Sequence, residues 1–62
     1  MKANKVKTGK IFIYQGKKYQ WKELSEAWRK LCDENGDIIQ PQQIPMDILL
    51  NKADVEVQDE AS

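Results

Sequence analysis

Few side chains in this 62-residue chain could take part in covalent or acid–base chemistry: one cysteine (Cys32), ten carboxylates and no histidine. General acid–base work near neutral pH most often recruits histidine, and a cysteine nucleophile is usually activated by one. The densest carboxylate group is Asp33-Glu34-Asn35-Gly36-Asp37. It surrounds a turn signal and so reads as solvated, without the apolar setting that raises a carboxyl pKa. It also lacks the spacing and terminal glutamate of a calcium loop. A single cysteine without histidine completes neither a zinc site nor an intrachain disulfide. Three glycines form no phosphate-binding loop. The expectation is a non-enzymatic protein with no metal and no cofactor.

What remains is binding, and the charge is polarised for it. Residues 1–30 carry Lys2, Lys5, Lys7, Lys10, Lys17, Lys18, Lys22, Arg29 and Lys30 against Glu23 and Glu26, a net of +7. Residues 31–62 carry Lys52 against Asp33, Glu34, Asp37, Asp47, Asp54, Glu56, Asp59 and Glu60, a net of −7. A net charge of zero hides this asymmetry, which suits an electrostatically chosen partner, self-association or an acidic end shielding a basic one.

Two groups of residues are candidate contact surfaces. Ile38, Ile39, Ile44, Met46, Ile48 and Leu50 crowd a short proline-containing segment, and one short helix cannot bury them all on one face. They favour a small regulatory or adaptor protein that docks another protein, with the acidic C-terminal half contributing. The alternative is weak, salt-sensitive nucleic-acid binding through Lys5, Lys7, Lys10, Tyr14, Lys17 and Lys18, lysines interleaved with aromatic residues. With one arginine and no helix-turn-helix spacing, groove reading has no support. A homodimer, basic half against acidic half, is a third arrangement.

The elements that must position these residues make one small α+β domain. Residues 1–9 are polar and basic, read as a flexible arm. Residues 10–57 form the domain, and residues 58–62 an acidic disordered tail. Lys10-Ile11-Phe12-Ile13-Tyr14 and Lys18-Tyr19-Gln20-Trp21 flank Gln15-Gly16-Lys17 as a β-hairpin. A three-residue loop, pairing Tyr14 with Lys18, divides the faces into Ile11, Ile13, Tyr19 and Trp21 inside and Phe12, Tyr14, Lys18 and Gln20 outside. A register placing Phe12, Tyr14, Tyr19 and Trp21 together is the competing one. Trp21, Leu24, Trp28, Leu31 and Cys32 then recur at helical spacing, predicting an amphipathic helix that ends at Asn35-Gly36. The hairpin would pack on it.

Beyond it, Asp37–Gln40 reads as extended, and Pro41 and Pro45 break regular structure. A second short helix follows from Pro45 to about Lys52, burying Met46, Leu49, Leu50 and Ala53 with Ile48 pointing away. Val55–Val57 alternates as a brief strand would. The opening pattern is too common among small proteins to single out a family. The longest apolar runs are four residues, too short to cross a membrane. The lone thiol and the lack of an export signal suit a cytoplasmic protein.

Overall fold

A computed structural model describes residues 1–25 and 28–58. Its centre is a four-stranded antiparallel sheet in the order β3-β2-β1-β4. The strands are β1 (Phe12–Tyr14), β2 (Lys17–Ser25), β3 (Trp28–Asp33) and β4 (Glu56–Val57). Among the described residues, helix is limited to one α-turn, α1 (Met46–Leu49), and two 3₁₀ turns at Ala3–Lys5 and Pro41–Gln43. Among the described residues no helix is long and apolar enough to cross a membrane. Glu26 and Ala27, and Asp59–Ser62 of the acidic tail expected at 58–62, lie outside the described residues.

The β1–β2 hairpin is present, in a tighter register than expected. Phe12 pairs with Tyr19, Ile13 with Lys18 and Tyr14 with Lys17, leaving the two-residue loop Gln15-Gly16. Both loop residues have positive φ (51° and 77°), as a type I′ turn requires. That turn matches the twist of its strands. Its register puts Phe12, Tyr14, Tyr19 and Trp21 on one face, correcting the division that left Phe12 and Tyr14 outside. Phe12 is fully buried, its ring 5.8 Å from that of Tyr19 and 6.1 Å from that of Trp21.

The amphipathic helix expected from Trp21 onward is replaced by the rest of β2 and all of β3. Trp21 pairs with Leu31, Lys22 with Lys30 and Glu23 with Arg29 across an antiparallel ladder. The apolar stripe fits this hairpin as well as a helix. Trp21 and Leu31 meet across the strands on the core face, while Leu24 and Trp28 come near the reversal and stay exposed. Trp21 is extended where it reaches Phe12, so a helix starting there would abandon that aromatic contact. It would also leave the edge of β2 unpaired. Non-local packing therefore overrides a favourable local helix propensity.

Residues 1–9, expected as a flexible arm, lie against the core face. Ala3 and Val6 are buried, and Ala3 N–H donates to Ala53 C=O (3.2 Å) while Val55 N–H donates to Met1 C=O (2.8 Å). The Trp21 indole N–H donates to Ala3 C=O (2.8 Å). Arg29 fastens the same segment, donating to the carbonyls of Val6 and Asn4 at 2.8 Å each with its guanidinium 4.9 Å from the Trp21 ring centre. With Ile48, Ala53 and Val55 these residues cover Phe12, Tyr19 and Leu31 on one side of the sheet. The other side has no second layer among the described elements.

The second helix is also reoriented. Only one turn forms, closed by Asn51 at φ 56°, so only one position can point inward. That position is Ile48, which is buried, whereas Met46 (65% exposed), Leu49 (55%) and Leu50 (55%) face solvent. The expected stripe is thus inverted, except at Ala53.

Candidate functional site

Beside the outer edge of β3 lies an apolar cleft. Residues Asp37–Ile39 return along that edge after the Gly36 turn (φ 88°), with Asp33 N–H donating to Asp37 C=O (2.9 Å) and Ile39 N–H to Leu31 C=O (3.0 Å). Asp33 Oδ1 secures the turn by accepting from the N–H groups of Asn35 (2.9 Å) and Asp37 (3.0 Å), so this carboxylate cluster is occupied by its own backbone. Then Pro41, which has no N–H, takes the chain away into a 3₁₀ turn.

The same parity of the ladder points the N–H and C=O of Arg29 outward, away from β2, where no strand among the described residues meets them. The adjoining cleft is about 210 Å³ and is lined by Trp21, Arg29, Leu31, Ile44, Ile48 and Leu49, with Lys30 at its side. Leu49 continues onto the exposed Met46 and Leu50 of the α1 turn. An unpaired strand edge next to an apolar cleft is how a sheet receives an extended segment.

The residues expected to contact a protein partner divide accordingly. Ile38, Met46 and Leu50 are exposed, Ile44 lines the cleft half-buried, Ile39 packs half-buried against the core, and Ile48 forms the cleft's floor within it. Leu49, Trp21 and Arg29 were not among them. Leu49 was assigned to a buried stripe, and the other two to a helix.

The alternative basic set does not converge. Lys5 lies in the first 3₁₀ turn, Lys7 and Lys10 follow it, and Lys17 shares the core-side face with Tyr14, whereas Lys18 lies on the opposite face. The Tyr14 hydroxyl donates to Asp47 Oδ2 (3.0 Å). That bond to a carboxylate holds its pKa above the ordinary phenol value. A second cleft, about 600 Å³ and wide open, places Lys17 and Lys18 opposite Asp33 and Glu34, so its charges largely offset one another.

Cys32 is fully buried, its thiol 3.8 Å from Lys30 C=O. Burial, more than any neighbouring charge, raises its pKa. Because the folded thiol holds its proton to higher pH than the unfolded one, its stabilising contribution is complete below the unfolded pKa and is lost as pH rises through the folded value. Cys32 is therefore expected to react slowly with an aromatic disulfide reagent at pH 8 and rapidly once denatured. Equal rates in the two states would show that the thiol is open to solvent.

No protein-family model, curated protein or solved structure matches this chain.

Proposed function

We propose that this protein is a non-enzymatic regulatory or adaptor module that binds another protein, receiving an extended segment along β3. The observation that carries the reading is the pairing of the open Arg29 backbone groups with the apolar cleft under Leu49. A strand laid against Trp28–Lys30 would extend the sheet, with main-chain hydrogen bonds supplying affinity and one apolar side chain entering the cleft. Exposed Met46 and Leu50 would widen the contact beyond that anchor. Arg29 and Lys30 favour a segment carrying acidic residues beside its apolar one. They also disfavour a symmetric dimer across this edge, which would bring the two basic halves together.

The test is selection from a displayed library of unstructured peptides, followed by amide chemical-shift mapping. Selected peptides are expected to have an apolar residue flanked by acids, to perturb Arg29, Leu31 and Leu49, and to lose at least tenfold in affinity on Leu49→Glu. That side chain is already half exposed, so the substitution should leave folding intact. Shifts confined to other surfaces, or unchanged affinity for the Leu49→Glu protein, would remove the cleft as the docking site.

A further inference from the structure

At its Trp28 end the sheet's outer face is open, whereas Cys32 at the other end of β3 is buried beside Gln20 and Ile38. Strand alternation, counted from the core-facing Trp21, Arg29 and Leu31, places Lys18, Gln20 and Lys22 of β2 on this face with Trp28, Lys30 and Cys32 of β3. Lys22 and Lys30 are directly opposite each other. A like-charged cross-strand pair destabilises a sheet unless an anion joins it. Trp28 is next along β3 on the same face, 70% exposed, the most exposed large apolar side chain among the described residues. The ladder slips between Glu23 and Ser25, so Trp28 stands opposite Ser25 at a β-bulge, a feature that re-aims side chains beside binding sites.

The nearby acids are placed elsewhere. Glu23 pairs with Arg29 on the core-side face, and Asp33 and Asp37 close the turn at the far end of β3. Glu56 lies on this face but on β4, at the opposite edge of the sheet from β3.

From this juxtaposition we infer that the Trp28 end of the outer face is a binding site for single-stranded nucleic acid. Trp28 offers a stacking platform for one unpaired base, and Lys22 and Lys30 neutralise adjoining phosphates. An aromatic ring standing on a basic sheet face suits a single strand because a base in a duplex has no free π-face to offer. Duplex DNA would meet the lysines alone. This site shares no residue with the basic set read from the sequence, and it lies across the sheet from the core, separate from the Leu49 cleft.

The experiment uses the full chain and a fluorescein-labelled oligothymidylate of about 20 nucleotides, long enough to span a site of this size. Anisotropy is read through a series of rising salt concentrations, with an unlabelled duplex of equal length as competitor. Binding should quench tryptophan fluorescence, with log K falling against log salt at a slope of about −1.4 for two phosphate contacts. Trp28→Ala is expected to weaken binding about tenfold or more, and Lys22→Gln with Lys30→Gln to bring the slope close to zero. Lys52→Gln, an exposed lysine on the connection between α1 and β4, should change neither. Near-UV circular dichroism of each variant establishes that it is folded. No binding at low salt, a duplex that competes as well as the single strand, or unchanged affinity in folded Trp28→Ala would each overturn the assignment.

Discussion

Replacing Phe12 with alanine is expected to unfold the domain at room temperature. Phe12 is fully buried, lies on the central strand pair, stacks with Tyr19 and meets the Trp21 ring at a tilt. Truncating a buried phenylalanine costs about 3–5 kcal/mol through lost transfer energy and the cavity left behind. A core in a chain this short rarely supplies more than about 3–5 kcal/mol of net stability. No disulfide adds to it, since Cys32 is the only cysteine. The loss therefore equals the whole margin. Phe12→Ala should show no cooperative thermal transition and no near-UV signal from its tryptophans, while Phe12→Leu retains a weakened transition. A cooperative Phe12→Ala transition within a few degrees of the parent would place Phe12 outside the core.

The second large effect is expected at Arg29, through its hold on the N-terminal segment. Its guanidinium donates to two main-chain carbonyls, Val6 and Asn4, and packs over Trp21. Hydrogen bonds from a charged donor contribute about 1.5–3 kcal/mol each when buried. Arg29 is only half-buried, so the pair and the ring contact together come to about 2–3 kcal/mol. Arg29→Ala should lower the melting temperature by about 10 °C or more. Arg29→Lys should recover little, because an ammonium cannot reproduce the two-pronged fork. Deleting residues 1–6 from the Arg29→Ala protein should then cost less than the same deletion in the parent, since the two share one interaction. Fully additive losses would show that Arg29 does not anchor that segment.

Arg29 also shows why part of this architecture could not be read along the chain. Its side chain makes contacts to residues more than twenty positions away, with backbone carbonyls that any sequence would offer. Nothing in residues 1–9 signals that they are held, apart from Val6, the one large apolar side chain after Met1. The first hairpin was legible because Gln15-Gly16 sits between aromatic, β-branched runs, and Gly16 supplies one positive φ. Its register was not, since a non-glycine residue, Gln15, takes the other.

The segment Trp21–Cys32 misled for a physical reason. Its spacing puts Trp21, Leu24, Trp28 and Leu31 on one helical face, but antiparallel pairing of β2 with β3 brings two of the same residues, Trp21 and Leu31, together across strands. Period alone does not separate the two solutions; the need of Phe12 for Trp21 does. Of the crowded apolar residues, Ile44 lines the cleft, whereas Met46 and Leu50 lie exposed outside its lining. Which of Ile48 and Leu49 turned inward depended on the helix stopping at one turn, set by Asn51 in a left-handed conformation.

Both proposed surfaces depend on β2 pairing with β3, because that ladder creates the open edge at Arg29 and the outer face bearing Trp28. The Trp21 carbonyl accepts from Gly9 N–H (3.0 Å), facing away from β3, so Trp21 and Leu31 form a non-hydrogen-bonded pair. Such pairs bring their Cα atoms to about 4.5 Å, close enough for a strong Hα–Hα nuclear Overhauser effect. The most direct measurement is that cross-peak in the NMR spectrum of the free protein. A strong Trp21–Leu31 Hα–Hα contact is the expected result. Its absence, with medium-range contacts running from Trp21 to Leu24 and from Leu24 to Trp28, would establish a helix there and dissolve both sites.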